Sequence, residues 1–348
     1  MALPTSYTAF RRTAGDVPRT IEPTSESLPQ DLRSNDVLIK IHAVSLNYRD
    51  LAMLIGTYPV EVEERGVPCS DCAAEVVAIG SAVEDFHIGD RVSPIFDVSN
   101  ITGTESAPSK ALGGDMPGVL REYAVFEDRL LVHLPQYLTW EEASTLTCAG
   151  VTAWVALNSP SAVSGPTSAV LQGTGGVSMF ALLICLAAGI KPIITSSSDA
   201  KLESIKKLSP EVHGINYKTT QDQAPEVFLA TDGEGVDVIV NNTGVASIPD
   251  DLKLLRTRGG TVSLVGFLDG FKADWNPNAM AAIMGKAAKV KGIAVGSKVD
   301  YQHLNAFLEQ KNVSIAPIID RVFPFQESRA ALDYLLSAKH VGKVIIKM

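Results

Sequence analysis

Cysteine is scarce, with four in 348 residues, too few for the disulfide framework of a small secreted scaffold. Basic charge is also short. Lys and Arg number 30 against 39 Asp and Glu, a net charge of −9, so the chain lacks the basic stripe that neutralises a phosphodiester backbone, which argues against a nucleic-acid role. A phosphate-bearing small molecule stays open, because backbone N–H groups bind one whatever the overall charge. Long apolar runs are missing too. The longest, Met179–Ile190 (MFALLICLAAGI), falls short of the roughly 20 residues needed to span a bilayer. MALPTSYTAFRRT at one end holds no hydrophobic signal core, and KVIIKM at the other carries no lipidation or retention signal. Hydrophobic residues make up 46% and charged residues 20%, which rules out disorder. The expectation is a soluble, cytoplasmic chain with no membrane partner, long enough for two domains.

No internal repeat or low-complexity tract stands out. The first 130 residues are strand-rich: Asp36–Val44, Ala73–Ile79, Arg91–Phe96 and Leu120–Phe126 are short apolar or alternating runs between turn signals. Asp97–Gly118, rich in Gly, Ser, Thr and Pro, is predicted to be a long loop. From about residue 140 strands and helices alternate, with strands at Ser168–Gln172, Pro192–Thr195, Val236–Val240, Gly260–Val265 and Val290–Val295. This spacing implies βαβ units and a parallel sheet, an α/β fold. After about Asp300 the chain returns to the texture of the first region and closes on a strand, VIIKM.

Gln172-Gly173-Thr174-Gly175-Gly176-Val177 directly follows a strand and opens a helix. In that context glycines let the backbone approach a pyrophosphate, which sits on the helix N-terminus. The third glycine of the pattern is replaced by Ser178, small enough to fit. At the end of the next strand, where NAD enzymes place an acidic residue, stands Thr195-Ser196-Ser197-Ser198, with Lys201 one turn into a helix that starts near Ser198 or Asp199. Hydroxyls and an ammonium suit a 2′-phosphate, so NADP(H) is the expected cofactor. Asp199 is the complication, and helix capping is the reading adopted for it.

Further motifs occur in a fixed order: Val37–Ile41, Ser45-Leu46-Asn47-Tyr48-Arg49-Asp50, Gly56-Thr57-Tyr58-Pro59, Val67-Pro68-Cys69-Ser70-Asp71, Glu75–Gly80, Phe86–Val92, Cys148–Trp154, the glycine turn, Gly235-Val236-Asp237, Gly259-Gly260, Val265-Gly266 and Gly342-Lys343-Val344. Together they resemble the medium-chain dehydrogenase/reductase superfamily, in its zinc-free, quinone-oxidoreductase-like branch, over nearly the whole chain. The resemblance implies a GroES-like catalytic domain (1–130 and 299–348) interrupted by a Rossmann-like cofactor domain (131–298), with a cofactor cleft between them. It implies that Asn47 and Thr152 lie near the cofactor and that Gly173, Gly175, Gly176 and Val177 line the pyrophosphate. Ser196 or Ser197, Lys201 and Tyr217 would surround the 2′-phosphate and adenine, although Tyr217 also suits ordinary half-burial. Gly266, Phe267, Val295 and Lys343 would contact the nicotinamide half.

Zinc-dependent relatives use a Cys in the segment held here by Asn47–Asp50, a His-Glu pair where Ser70-Asp71 stands, and a later Cys. Only Cys148 matches, and one thiolate cannot hold a catalytic zinc. Asp97–Gly118 contains no cysteine for a structural zinc. Cys69-Ser70-Asp71-Cys72 precedes a strand, not a helix, which disfavours a redox centre. The six histidines show no ligand spacing. Without a Lewis acid the expected reaction is hydride addition to an activated C=C bond, of an enone, enal or quinone. Tyr58, Asn47 and Arg49 are the candidate donors to the substrate oxygen. Tyr58 also suits packing, and Arg49 an ion pair with Asp50 or Glu75. The rival readings are a zinc-free carbonyl reductase or alcohol dehydrogenase, and a nucleotide-binding partner protein without turnover. A homodimer is expected, through the apolar run Val290–Val295 at a sheet edge.

Overall fold

The computed structural model describes residues 3–160 and 167–348; Met1 and Ala2, at the start of the segment that lacks a signal core, lie outside them. The chain divides into two compact units, Met1–Ala149 with Gly296–Met348, and Gly150–Val295. The boundaries expected from sequence, 130/131 and 298/299, therefore both move. Leu131–His133 is a strand paired with Arg91–Pro94, and the helix Trp140–Ala143 packs on the same sheet, so both belong to the first unit. The amides of Lys298 and Val299 donate to the carbonyls of Asn100 and Ile101, which brings the second boundary forward.

The first unit opens with an antiparallel hairpin, β1 (Ser6–Arg12) and β2 (Ile21–Ser27). There follow β3 (Asp36–Ser45), α1 (Tyr48–Ile55), β4 (Asp71–Ile79), β5 (Arg91–Pro94), β6 (Tyr123–Glu127), β7 (Leu131–His133) and α2 (Trp140–Ala143). β3 is buried along most of its length because it is paired on both edges. β4 lies antiparallel on one edge, while β6 takes the N-terminal half of the other. The C-terminal half of that edge waits for the last strand of the chain.

The second unit contains α3 (Val151–Ala156), β8 (Ser168–Gln172), α4 (Gly176–Ala188), β9 (Lys191–Ser196), α5 (Asp199–Lys206), β10 (His213–Asn216), α6 (Ala224–Ala230), β11 (Val238–Asn241), α7 (Ile248–Leu254), β12 (Thr261–Leu264), α8 (Ala281–Gly285) and β13 (Lys289–Gly292). Its strands form one parallel six-stranded sheet in the order β10-β9-β8-β11-β12-β13. The order reverses between β8 and β11, the place where doubly wound sheets open a crevice at their carboxyl ends. The apolar run Met179–Ile190 is a core helix, with Met179–Cys185 buried throughout. Among the described residues no helix is long and apolar enough to cross a membrane. The edge strand β13 ends at Gly292, short of Val295, and exposes Lys289 and Lys291, so it is less apolar than the run Val290–Val295 suggested.

The chain then returns to the first unit as α9 (Lys298–Lys311), β14 (Ile319–Pro324), α10 (Ser328–Leu336) and β15 (Lys343–Lys347). β15 pairs antiparallel with the C-terminal half of β3, placing Lys343 beside the start of α1.

Candidate active site

In the second unit the glycine turn joins β8 to α4. Gly173 has φ +81, the left-handed region that glycine enters without strain, and a Cβ at Gly173 or Gly175 would meet nothing within 4 Å. Open space therefore borders the turn, as close approach of a pyrophosphate requires. α4, 13 residues long, has Gly175 as N-cap, so its first N–H groups receive no capping side chain from that position. Ser178, in place of the third glycine, is buried and donates its hydroxyl to the Gln172 carbonyl at 2.7 Å. The Gly173 amide donates to Thr195 Oγ1 at 3.3 Å. The turn is held from both sides.

Ser196 ends β9, and Ser197 and Ser198 follow it. Ser198 is the cap of α5, its hydroxyl accepting from the Lys201 amide at 3.4 Å. Asp199 is the first helical residue, not the cap; its carboxylate accepts from Asn216 Nδ2 at 2.7 Å. Tyr217, 45% exposed, follows β10 and donates its amide to the Ser196 carbonyl. Backbone amides thus tie Tyr217 to the Ser196 carbonyl at the end of β9 and Lys201 to the Ser198 cap that follows it. Gly266 and Phe267 follow β12. A Cβ on Gly266 would lie 2.5 Å from the Asn242 carbonyl, so packing between neighbouring turns already requires glycine there. Phe267 stacks on Phe271. Val295 has φ +61, a strained conformation for a β-branched residue. Thr152 is buried in α3, which packs on α4 and β11.

In the first unit the site grows from the β3–α1 junction. Asn47 is the N-cap of α1, and its amide donates to Asp50 Oδ2 at 2.8 Å. Arg49 is buried: Nη1 donates to the Leu112 carbonyl at 2.8 Å, Nε lies 3.4 Å from the Tyr58 hydroxyl, and the guanidinium sits 4.7 Å from the Phe96 ring centroid. Asp50 Oδ1 is 3.9 Å away, whereas Glu75 pairs with His42, so the Glu75 alternative for Arg49 drops out. Arg12, fully buried, donates to the carbonyls of Glu63, Gly113 and Gly114. Two buried guanidiniums therefore pin the far end of Asp97–Gly118, which is an ordered loop with an Asp97–Ala111 bridge.

Lys343, 3% exposed, donates to the Leu46 carbonyl at 2.7 Å and to Asn47 Oδ1 at 2.6 Å, and lies 3.9 Å from Asp71 Oδ2. The resemblance assigned this ammonium to the nicotinamide; here it is engaged by Asn47, Leu46 and Asp71. With its oxygen bound, Asn47 keeps Nδ2 as a buried donor with no hydrogen-bond partner. Asp71 is buried and accepts from the Ser70 hydroxyl and the Cys148 amide. In the sequence Asp71 stands out only as a replacement for a zinc-ligand position, with no role of its own; a lone acid at the start of an apolar strand is the available signal.

A mainly antiparallel sheet, with only β14 and β15 parallel among its described pairs, carrying a helix-borne polar cluster, and a parallel doubly wound sheet with a glycine turn, define a GroES-like and a Rossmann-like unit. Residues 33–136 match the alcohol dehydrogenase GroES-like domain, and residues 176–310 match the zinc-binding dehydrogenase family. A zinc-type alcohol dehydrogenase-like protein of Schizosaccharomyces pombe is 38% identical over 333 residues, covering 94% of this chain and 95% of that protein. A quinone oxidoreductase of Sus scrofa is 28% identical over 326 residues, 92% of this chain and 90% of its own. A crystal structure assigned as an alcohol dehydrogenase from Sinorhizobium meliloti superposes with a TM-score of 0.90 at 32% identity, covering 100% of both chains. The chain belongs to the medium-chain dehydrogenase/reductase superfamily and is an oxidoreductase.

The zinc implied by one of those family descriptions does not fit these residues. Ser70 and Asp71 stand where zinc-dependent relatives carry a His-Glu pair, and Asn47–Asp50 brings no cysteine, so Cys148 alone is left of the ligand set, too few for a catalytic zinc. Asp71 already faces the Lys343 ammonium. Among the described residues no group of three or more His, Cys, Asp or Glu side chains could hold a metal ion.

Proposed function

We propose that the protein is an NADPH-dependent reductase of activated C=C bonds, in enones, enals or quinones, and that it works without zinc. The observation that carries the cofactor choice is the strand end Ser196-Ser197 with Lys201 beside it, where Asp199, the nearby acid, is tied to Asn216. The open glycine turn and the uncapped start of α4 support a pyrophosphate there. Bound NADPH supplies a hydride. The residues proposed to hold it are Thr152, Gly173, Gly175, Gly176, Val177, Ser196, Ser197, Lys201, Tyr217, Gly266, Phe267 and Val295.

The first unit supplies the electrophilic groups. Reduction of a conjugated C=C bond puts negative charge on the carbonyl oxygen, and one or two fixed donors suffice to stabilise it. Tyr58 is the donor of this reading. Arg49 Nε donates toward the Tyr58 oxygen at 3.4 Å, which holds the phenol in place. Asn47 Nδ2 is a second donor, with its orientation set by Lys343. Arg49 itself, bound to Leu112, acts as a positioning residue. The quinone oxidoreductase relative supports the substrate class. A homodimer remains part of the proposal: β13 is an edge strand, and the exposed Met280 and Met284 precede it. A monomeric mass by light scattering at micromolar concentration would contradict it.

The test is cofactor discrimination. Lys201→Ala is expected to weaken NADPH binding by about 1.5–3 kcal/mol, the worth of a hydrogen bond to a charged group, and to leave NADH nearly untouched. Equal wild-type affinity for the two dinucleotides overturns the reading.

A further inference from the structure

A buried carboxylate with no part in the proposed reaction collects the side-chain amides of two strands next to the phosphate turn. Gln172, the last residue of β8, donates Nε2 to Asp251 Oδ1 at 2.7 Å, and its Oε1 accepts from the Thr243 amide at 3.3 Å. Asn241, the last residue of β11, donates Nδ2 to Asp251 Oδ2 at 2.6 Å, and its Oδ1 accepts from the Gly244 amide at 2.8 Å. Main-chain N–H groups thus fix both carboxamides, and both turn their N–H₂ ends toward Asp251. The Ser247 hydroxyl lies 3.2 Å from Asp251 Oδ2 and from the Gly244 carbonyl, and donates to one of them. Asp251 is 2% exposed.

An acceptor that faces donors is served best as a carboxylate, because a protonated carboxyl would turn an O–H against one of those N–H groups and lose a bond. Burying that charge without a cation is costly. The partners from β8, β11 and the turn before α7 are neutral, and a charged neighbour acting on Asp251 is Asp250, of the same sign. Stability alone does not explain the arrangement; its location does. Gln172 is the first residue of the glycine turn, and β8 and β11 are the strands between which the sheet order reverses. The Gln172 carbonyl is held as well, by Ser178 Oγ and by Asn242 Nδ2 at 3.1 Å.

We propose that Asp251 is a positioning residue for the dinucleotide's pyrophosphate: through Gln172 and Asn241 it locks the turn at Gln172–Gly176 to the turn after β11, so that the turn's N–H groups are set before the ligand arrives. The role rests on the proposed dinucleotide cofactor. Burial raises the Asp251 carboxyl to about 7, so the fully bonded form of the network is lost in mildly acidic solution, and dinucleotide affinity falls with it.

The experiment is fluorescence titration of NADPH and NADH against wild type, Asp251→Asn and Gln172→Met between about pH 6 and 8, with thermal midpoints in parallel. Both variants are expected to bind each dinucleotide about tenfold more weakly, the equivalent of one hydrogen bond, because the pyrophosphate is common to both. The ratio of wild-type to Asp251→Asn affinity is expected to rise with pH; the 2′-phosphate's own titration is common to the two proteins and cancels. Wild-type affinity and an unchanged pH profile in folded Asp251→Asn overturn the role and leave the cofactor reading standing. Should Asp251→Asn fail to fold, wild-type affinity in Gln172→Met, which cuts the link to the turn alone, overturns it. No dinucleotide binding by wild type overturns both.

Discussion

Replacing Lys343 by Met removes a buried ammonium while keeping most of its volume, and three oxygens lose their cation. The Leu46 carbonyl and Asn47 Oδ1 lose hydrogen bonds of 2.7 and 2.6 Å, and Asp71 loses a charge 3.9 Å from its Oδ2. Asp71 keeps the Ser70 hydroxyl and the Cys148 amide, but no charge of opposite sign remains that close among the ion pairs it makes in the described residues. Removing one partner of a buried pair costs about 3–5 kcal/mol, because the other charge is left uncompensated. At about 2–4 °C per kcal/mol for a unit of this size, the melting point should fall by about 6–20 °C. Asp71→Asn in the same chain removes the orphaned charge and should recover at least about 1 kcal/mol of the loss, read as the coupling term of a double-mutant cycle. Differential scanning fluorimetry and urea melts of the four proteins measure it. A loss under about 1 kcal/mol for Lys343→Met, or strictly additive substitutions, would refute the claim that this ammonium is an internal counter-ion.

The same geometry yields two more expected outcomes. Burial raises the carboxyls of Asp251 to about 7 and Asp50 to about 6, the latter against the pull of Arg49. Each therefore holds its proton to higher pH folded than unfolded, so the contribution of these two groups to unfolding free energy should decline as pH rises from about 4 and level off above about 7, each group costing on the order of 3–4 kcal/mol when fully ionised. Asp251→Asn should flatten that slope, and urea midpoints with an unchanged slope contradict the assignment. Tyr58→Phe should lower turnover by about 10- to 100-fold with little change in dinucleotide affinity, somewhat less than loss of a strong oxyanion donor; steady-state kinetics with unaltered kcat would return Tyr58 to packing.

What can be read in the sequence is what local chemistry specifies. β8 falls on Ser168–Gln172 as expected, because a β-branched and apolar run bounded by a glycine turn has little alternative. The glycine turn and the Ser196–Lys201 strand end are contiguous, so their meaning survives without the fold. The hairpin β1–β2 leaves little trace in the sequence, because SYTAFRR and IEPTSES are polar edge strands with a proline, and β10 (HGIN) is too short to carry a period. Non-local partners are out of reach for a different reason. Lys343 meets Asn47 across 296 residues, and Gln172 meets Asp251 across 79. No spacing rule connects such pairs; only the pairing of β15 with β3 and the adjacency of β8 and β11 bring them together. The first domain boundary falls too early in a sequence reading because β7 has only three residues, Leu131–His133.

The central claim is hydride delivery to carbon of an activated double bond by a chain that needs no zinc. Its most direct test is a reaction of chelator-treated protein with NADPH deuterated at the nicotinamide C4 and an α,β-unsaturated ketone, with the product read by NMR. The account predicts the saturated ketone with deuterium on the β carbon, at a rate unaffected by chelation. Deuterium on the carbonyl carbon of an allylic alcohol, or activity that disappears with the chelator and returns with zinc, would contradict it.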